Sequence, residues 1–115
     1  VQYKYFQPIQ NGDKSWEGRL GSERIQNINV GDTIIFHSFD REKNIPCQMD
    51  CVVIDIQKYS SFENMLSNGR LQNFLPGCHS IQDGVHIYRQ FPKYAELENQ
   101  LGAISFHLDI VSLNI

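Results

Sequence analysis

Gly12-Asp13-Lys14-Ser15-Trp16-Glu17-Gly18-Arg19-Leu20 crowds a cation, a hydroxyl, an aromatic ring, a carboxylate and a guanidinium into one short segment. An extended chain turns successive side chains to opposite faces, so Ser15, Glu17 and Arg19 share one side. Lys14, Trp16 and Gly18 fall on the other, although Lys14, at the entrance of the strand, is free to lean either way. A half-buried strand keeps its inward positions apolar, because an unpaired buried charge is costly. Neither face here is wholly apolar, so this strand is expected to line a cleft rather than serve only as the wall of a core.

The flanking segments supply what such a strand packs against. Val1 to Phe6, rich in Tyr and Phe, reads as a first strand. Pro8 then opens a short helical turn, with Phe6 and Ile9 on one face, that ends at Asn11-Gly12. Downstream, Ser22 is placed to cap a short helix through Asn27, with Ile25 and Ile28 facing inward. Val30-Gly31-Asp32 turns into Thr33-Ile34-Ile35-Phe36-His37-Ser38, a β-branched and aromatic strand pattern. Asp40 to Pro46 is a polar hairpin loop. Met49 to Tyr59, with its run from Cys51 to Ile56, is the natural antiparallel neighbour.

Beyond Tyr59 the texture becomes helical. Ser60 or Ser61 caps a helix carrying Phe62, Met65 and Leu66, which Asn68-Gly69 closes. Leu71, Phe74 and Leu75 make a second that stops at Pro76-Gly77. Ser80–Phe91 and Tyr94–Leu101 follow, and Gly102 ends the series. Ala103 to Val111 alternates as the closing strand. The whole chain, 1–115, is thus predicted to be one domain of the α+β class, a small curled sheet with helices from the middle of the chain covering its open side.

Composition narrows the function. An apolar fraction of 41% and a charged fraction of 20% are those of a globular protein. No apolar run is long enough to span a bilayer and no signal pattern opens the chain, so a cytoplasmic or nuclear protein, neither secreted nor membrane-bound, is expected. Three cysteines, an odd and sparse count, do not make a secreted disulfide framework. The four histidines, His37, His79, His86 and His107, are scattered without ligand spacing, so neither metal nor other cofactor is expected. A net charge of −3 argues against salt-driven binding of long nucleic acid and leaves room for a local basic cleft.

Lys14-Ser15-Trp16-Glu17-Gly18-Arg19, Val30-Gly31-Asp32-Thr33-Ile34-Ile35-Phe36 and Leu75-Pro76-Gly77, in that order, resemble an ASCH domain, a family of the PUA-like superfamily of small β-barrels. Tyr59 to Leu66, Gly84 to Phe91, and Glu98 ahead of Gly102 resemble one subgroup, so the likeness covers nearly the whole chain. It implies a PUA-like barrel whose cleft, between barrel and helices, is lined by the segment from Lys14 to Arg19. It also implies RNA binding. Some bacterial members similar in fold and lysine motif are amidohydrolases of acylated cytidine or ribonucleases. In the amidohydrolase group a threonine stands where this chain has Glu17, and a later catalytic glutamate has no counterpart here.

On residue chemistry, Lys14 suits a phosphate clamp, or a catalytic base if burial depresses its pKa; a solvated lysine at a strand start is an equal alternative. Glu17 and Arg19 can form an ion pair, structural or functional in equal measure. Ser15 can donate to a phosphate, though a plain strand serine is the commoner case. Trp16, Tyr59, Tyr88 and Phe91 can stack on a base, although for Phe91, as for Phe62, an ordinary core position is the commoner case. Tyr88-Arg89, if exposed, can stack on a base and contact phosphate. The first reading is therefore a reader of RNA or of a modified nucleoside or nucleotide. A metal-independent hydrolase using Lys14 and Glu17, either a nucleoside amidohydrolase or a ribonuclease, is second. A protein-interaction module with a vestigial cleft is third, and a protein partner or homodimer is left open.

Overall fold

The computed structural model describes residues 1–114. Its centre is a curled, half-barrel sheet of four antiparallel strands in the order β1-β4-β3-β2. The strands are β1 (Trp16–Leu20), β2 (Thr33–Asp40), β3 (Ile45–Tyr59) and β4 (Ala103–Asn114). The helices are α1 (Tyr3–Gln10), α2 (Glu23–Gln26), α3 (Phe62–Gly69), α4 (Leu71–Phe74), α5 (Ile81–Arg89) and α6 (Tyr94–Leu101). The α+β class and the helical segment from Phe62 to Leu101 are as the residue patterns predict.

The long strand β3 curls because it slips register against β4 between Asp50 and Cys51 and between Val53 and Asp55. Each such bulge bends a strand and sharpens its twist. The curl separates two cores. Inside it, Phe36, Met49, Val53, Ile104 and Phe106 pack with Phe6 and Ile9 of α1. Outside it, Leu20 and Ala103 pack under Phe62, Met65, Phe74, Val85 and Tyr88 of the helical layer. Alternation along β1 and β4 makes this division possible, since neighbouring residues there face different cores.

Two helix starts are capped where serines precede apolar periodicity. Ser61 accepts from the Asn64 amide and Ser80 from the Asp83 amide, both at 3.1 Å. Ser22 also precedes a helix, α2, but its side chain makes no capping bond. In the hairpin between β2 and β3 the Asp40 carboxylate accepts from the Glu42 and Lys43 amides, which pins the turn.

The N-terminal segment differs from the strand expected over Val1–Phe6. Tyr3 to Gln10 is one helix with Pro8 inside it, and Phe6 and Ile9 are its buried residues. Their spacing of three, with Tyr3 stacked on Phe6 at 5.9 Å, plugs the curl with one helical face. Tertiary burial outweighs the strand propensity of the aromatics.

Candidate functional site

The loop that delivers Lys14 to β1 is held from behind by α1. The Pro8 carbonyl accepts hydrogen bonds from the amides of Asp13, at 2.9 Å, and Lys14, at 3.0 Å. Gly12, at φ +82°, makes the reversal that a side chain would strain. Held in this way, Lys14 leans towards the Glu17 side of the strand. Its Nζ donates to Glu17 Oε1 at 3.1 Å. Arg19 Nη2 donates to Glu17 Oε2 at 3.2 Å. One carboxylate therefore holds two cations, and the cluster carries a net positive charge.

Burial differs sharply across the three. The Lys14 side chain is 3% exposed and that of Glu17 9%, whereas Arg19 is 33% exposed. Burial by itself would raise the Glu17 carboxyl pKa, but Lys14 and Arg19 outweigh it and hold it below the ordinary value. Burial likewise opposes the charge on Arg19, and Glu17 outweighs it, moving the guanidinium pKa up. An ammonium has three donors, and among the described residues Glu17 is the acceptor of Lys14. The lysine thus keeps donor capacity beside the hollow that it lines.

That hollow has a volume of about 330 Å³, within the range of small-ligand sites. Lys14, Glu17 and Arg19 form one side, and Tyr5, Phe91 and Tyr94 an aromatic wall. Gly18 and Tyr88 also reach it. The Tyr88 ring is buried and stacks on Phe62 at 4.7 Å with the planes 5° apart, while Phe91 tilts against it at 6.4 Å. Its hydroxyl is buried with no hydrogen-bond partner among the described residues. Burial pushes the phenol well above its ordinary pKa, reinforced by the charge of Glu17, so the hydroxyl keeps its proton.

The cleft brings together Lys14, Glu17, Arg19 and Tyr88 of the residues singled out in the sequence; Ser15, Trp16, Tyr59 and Arg89 lie outside its lining. Ser15 is a backbone partner of β4, accepting from the Leu108 amide at 2.8 Å. Trp16 stacks on His107 at 4.7 Å and tilts on Phe74 at 6.1 Å. Tyr59 is half-buried against the helical core. Arg89 Nε donates to Glu98 Oε1 at 2.8 Å, and Glu98 Oε2 accepts from the Phe62 amide at 2.9 Å. That buried carboxylate ties α5 and α6 to the start of α3. Phe91, expected in the core, is half-buried on the cleft wall, and Tyr5 and Tyr94 join it without having been singled out. Tyr5 escapes notice because its segment reads as a strand, and Tyr94 because a single tyrosine in a helical pattern carries no sign of what it faces.

A wider hollow of about 760 Å³ lies between α1 and the β2–β3 hairpin. Its buried carboxylate, Asp40, is already engaged by turn amides. Among the described residues no group of three or more His, Cys, Asp or Glu side chains is placed to hold a metal. Nor, among them, is any helix long and apolar enough to cross a membrane.

The ASCH domain family matches this chain over residues 1–109. The chain belongs to the ASCH family. This places it in the PUA-like superfamily, in a family associated with RNA binding. Two solved structures of other ASCH-like proteins share its architecture. The hypothetical protein PH0355, known from a crystal structure, is 32% identical with a TM-score of 0.80, over 96% of this chain and 94% of the other. PF0455 from Pyrococcus furiosus, known from solution NMR, is 28% identical with a TM-score of 0.72, over 97% of this chain and 94% of the other. No match to a curated protein was found.

Proposed function

We propose that the cleft binds one nucleotide of RNA, or a free modified nucleoside or nucleotide, without turning it over. The observation that carries this reading is the buried Lys14 ammonium, whose donors exceed its one carboxylate partner, beside a hollow with an aromatic wall. Lys14 and Arg19 supply charge-assisted donors for a phosphate or another acceptor group. Glu17 keeps the two cations together. Tyr5, Phe91 and Tyr94 offer ring surface to a base, a contact worth about 1–3 kcal/mol per base. The net charge of −3 disfavours long RNA, so recognition centres on one or a few nucleotides.

Binding is favoured over hydrolysis because Glu17 is held ionised by two cations. Such a carboxylate is a poor proton donor, and each of its oxygens already accepts from one of the two cations. The test is titration of the intact protein with a short single-stranded RNA and with nucleoside monophosphates at two salt concentrations. Binding that weakens with salt and is cut by about tenfold or more in both Lys14→Ala and Arg19→Ala is expected. Affinity unchanged in both variants rejects the assignment. Steady release of product that stops in Lys14→Ala moves the protein to the hydrolase class.

A further inference from the structure

The cleft at Lys14 and Arg19 has a neighbour on either side. A hollow of about 370 Å³ adjoins it and shares Tyr5, Lys14 and Leu75 with it. Another, of about 300 Å³, shares Glu17 and Arg19 with it. These two flanking hollows have no lining residue in common, so the three lie in a row with the cleft in the middle. The row follows β1. The first flank lies at the entrance of the strand, between α1 and the turn Leu75-Pro76-Gly77, and the second beyond its end, between α2 and β2. All three are open hollows rather than enclosed cavities.

Charge is spread very unevenly between this row and the rest of the surface. The row holds Lys4, Lys14, Arg19 and Arg24, four of the ten Lys and Arg side chains, and among the described residues Glu17 is the one acid of thirteen that lines it. Lys4 and Arg24 occupy the two flanks. Both are exposed, and neither belongs to an ion pair among the described residues. The Lys4 ammonium lies 5.1 Å from the centre of the Tyr5 ring, at the junction of its flank with the cleft. A chain of net charge −3 thus gathers its cations along one path, which favours an extended anion there and nowhere else nearby. Lys14 and Arg19 alone are five residues apart on extended chain, about 16 Å between their Cα atoms. A single nucleotide in the cleft leaves both flanks empty.

We infer that the cleft takes an internal nucleotide of an unpaired RNA strand, which leaves it at both ends, one backbone phosphate held by Lys4 before β1 and another by Arg24 after it. The inference rests on the nucleotide reading of the cleft given above, and within that reading it selects the strand over the free nucleoside or nucleotide. The strand is unpaired, because a base reaches the aromatic wall of Tyr5, Phe91 and Tyr94 only when it is splayed out of a helix. Lys4 and Arg24 are positioning residues: phosphate contacts fix register and orientation and carry no sequence information of their own. Because the row is open beyond the cleft on both sides, the strand needs neither a 5′ nor a 3′ terminus to enter it.

The experiment titrates the intact protein, Lys4→Ala and Arg24→Ala with four kinds of probe. These are the nucleoside 5′-monophosphates, a linear single-stranded RNA of roughly 20 nucleotides, longer than a single-strand site, the same sequence closed into a circle, and inorganic polyphosphate. The circle is expected to bind within about twofold of the linear strand, and both about tenfold or more tighter than any monophosphate. Each variant should weaken RNA binding by about threefold to tenfold and the monophosphates by less than about twofold, and lower the slope of log Kd against log salt by about 0.7. Both side chains are exposed, so the fold is retained in the variants. A circle that fails where the linear strand binds overturns the path and leaves the nucleotide site standing, as does RNA no tighter than the monophosphates and indifferent to both variants. Polyphosphate as tight as RNA also overturns it, since the bases then contribute nothing. Failure of RNA and monophosphates alike overturns both readings.

Discussion

Glu17→Gln is the most searching single perturbation of this domain, because it removes one charge and leaves two cations facing each other. At the 3.1 Å that separates Lys14 Nζ from Glu17 Oε1, with an effective dielectric of about 20, the attraction is about 5 kcal/mol before desolvation. Removing one partner of a buried pair typically costs about 3–5 kcal/mol, since the other is left buried and uncompensated. The Arg19 pair, one-third exposed, adds less than about 1 kcal/mol, because water takes over the guanidinium. The expected loss is therefore about 3–5 kcal/mol. Urea unfolding reads it as a fall in midpoint on the order of 2 M, for a denaturant slope of about 2 kcal/mol per M.

The pH dependence follows with a definite sign. The Glu17 carboxyl has a folded pKa below its ordinary value of 4.5. Its stabilisation is fully present above that value and is lost as the pH falls through the lower folded value. The variant lacks this component, so the gap between the two proteins closes on acidification. Adding Lys14→Met to Glu17→Gln removes the stranded ammonium and restores about half of the loss or more. A variant within about 0.5 kcal/mol of the parent, or a gap that stays constant from neutral pH to about pH 3, would refute the buried-pair reasoning.

Gly18→Ala brings a Cβ to within 2.5 Å of Met65 Cε and 2.7 Å of Tyr88 Oη, both in a packed layer, and should cost about 1–3 kcal/mol in thermal or urea unfolding. Glu98→Ala strips the Phe62 amide and Arg89 of their shared acceptor and should cost about 2–3 kcal/mol. Arg89→Ala, whose side chain is 49% exposed, should cost under about 1 kcal/mol. Cys51 is fully buried and its thiol is pushed up to about 11, by burial first and then by the Asp50 and Asp109 carboxylates. Mass spectrometry after iodoacetamide treatment at mildly alkaline pH should find Cys51 unmodified in the folded protein and modified in urea, with the half-exposed Cys78 reacting first.

Much of this architecture is legible from residues that carry their own local signal. β2 and β3 are β-branched runs, and Ser61 and Ser80 cap the helices they precede. β4 alternates cleanly because its two faces serve two different cores. The segment Tyr3–Gln10 hides its helix because aromatic residues favour strands, and the energy that decides the matter comes from filling the curl with Phe6 and Ile9. The charge cluster from Lys14 to Arg19 is visible in the sequence. The direction in which Lys14 leans is not, since the Pro8 carbonyl sets it from another element. The partners of the aromatics are equally non-local. Trp16 meets His107 through the β1–β4 register, and Tyr88 meets Phe62 through helix packing. The unpaired Tyr88 hydroxyl leaves no trace in a sequence at all.

The division of the interior into two cores gives the cleft a mechanical role. Glu17 looks into one core while Tyr88 hangs from the other, so the hollow opens along a seam where curl and helical layer meet. A seam yields before either block does, and a molecule lodged in it acts as a rivet between them. Occupancy should therefore slow amide exchange in α5 and α6 together with β1, and a label on either block should sense what the other holds.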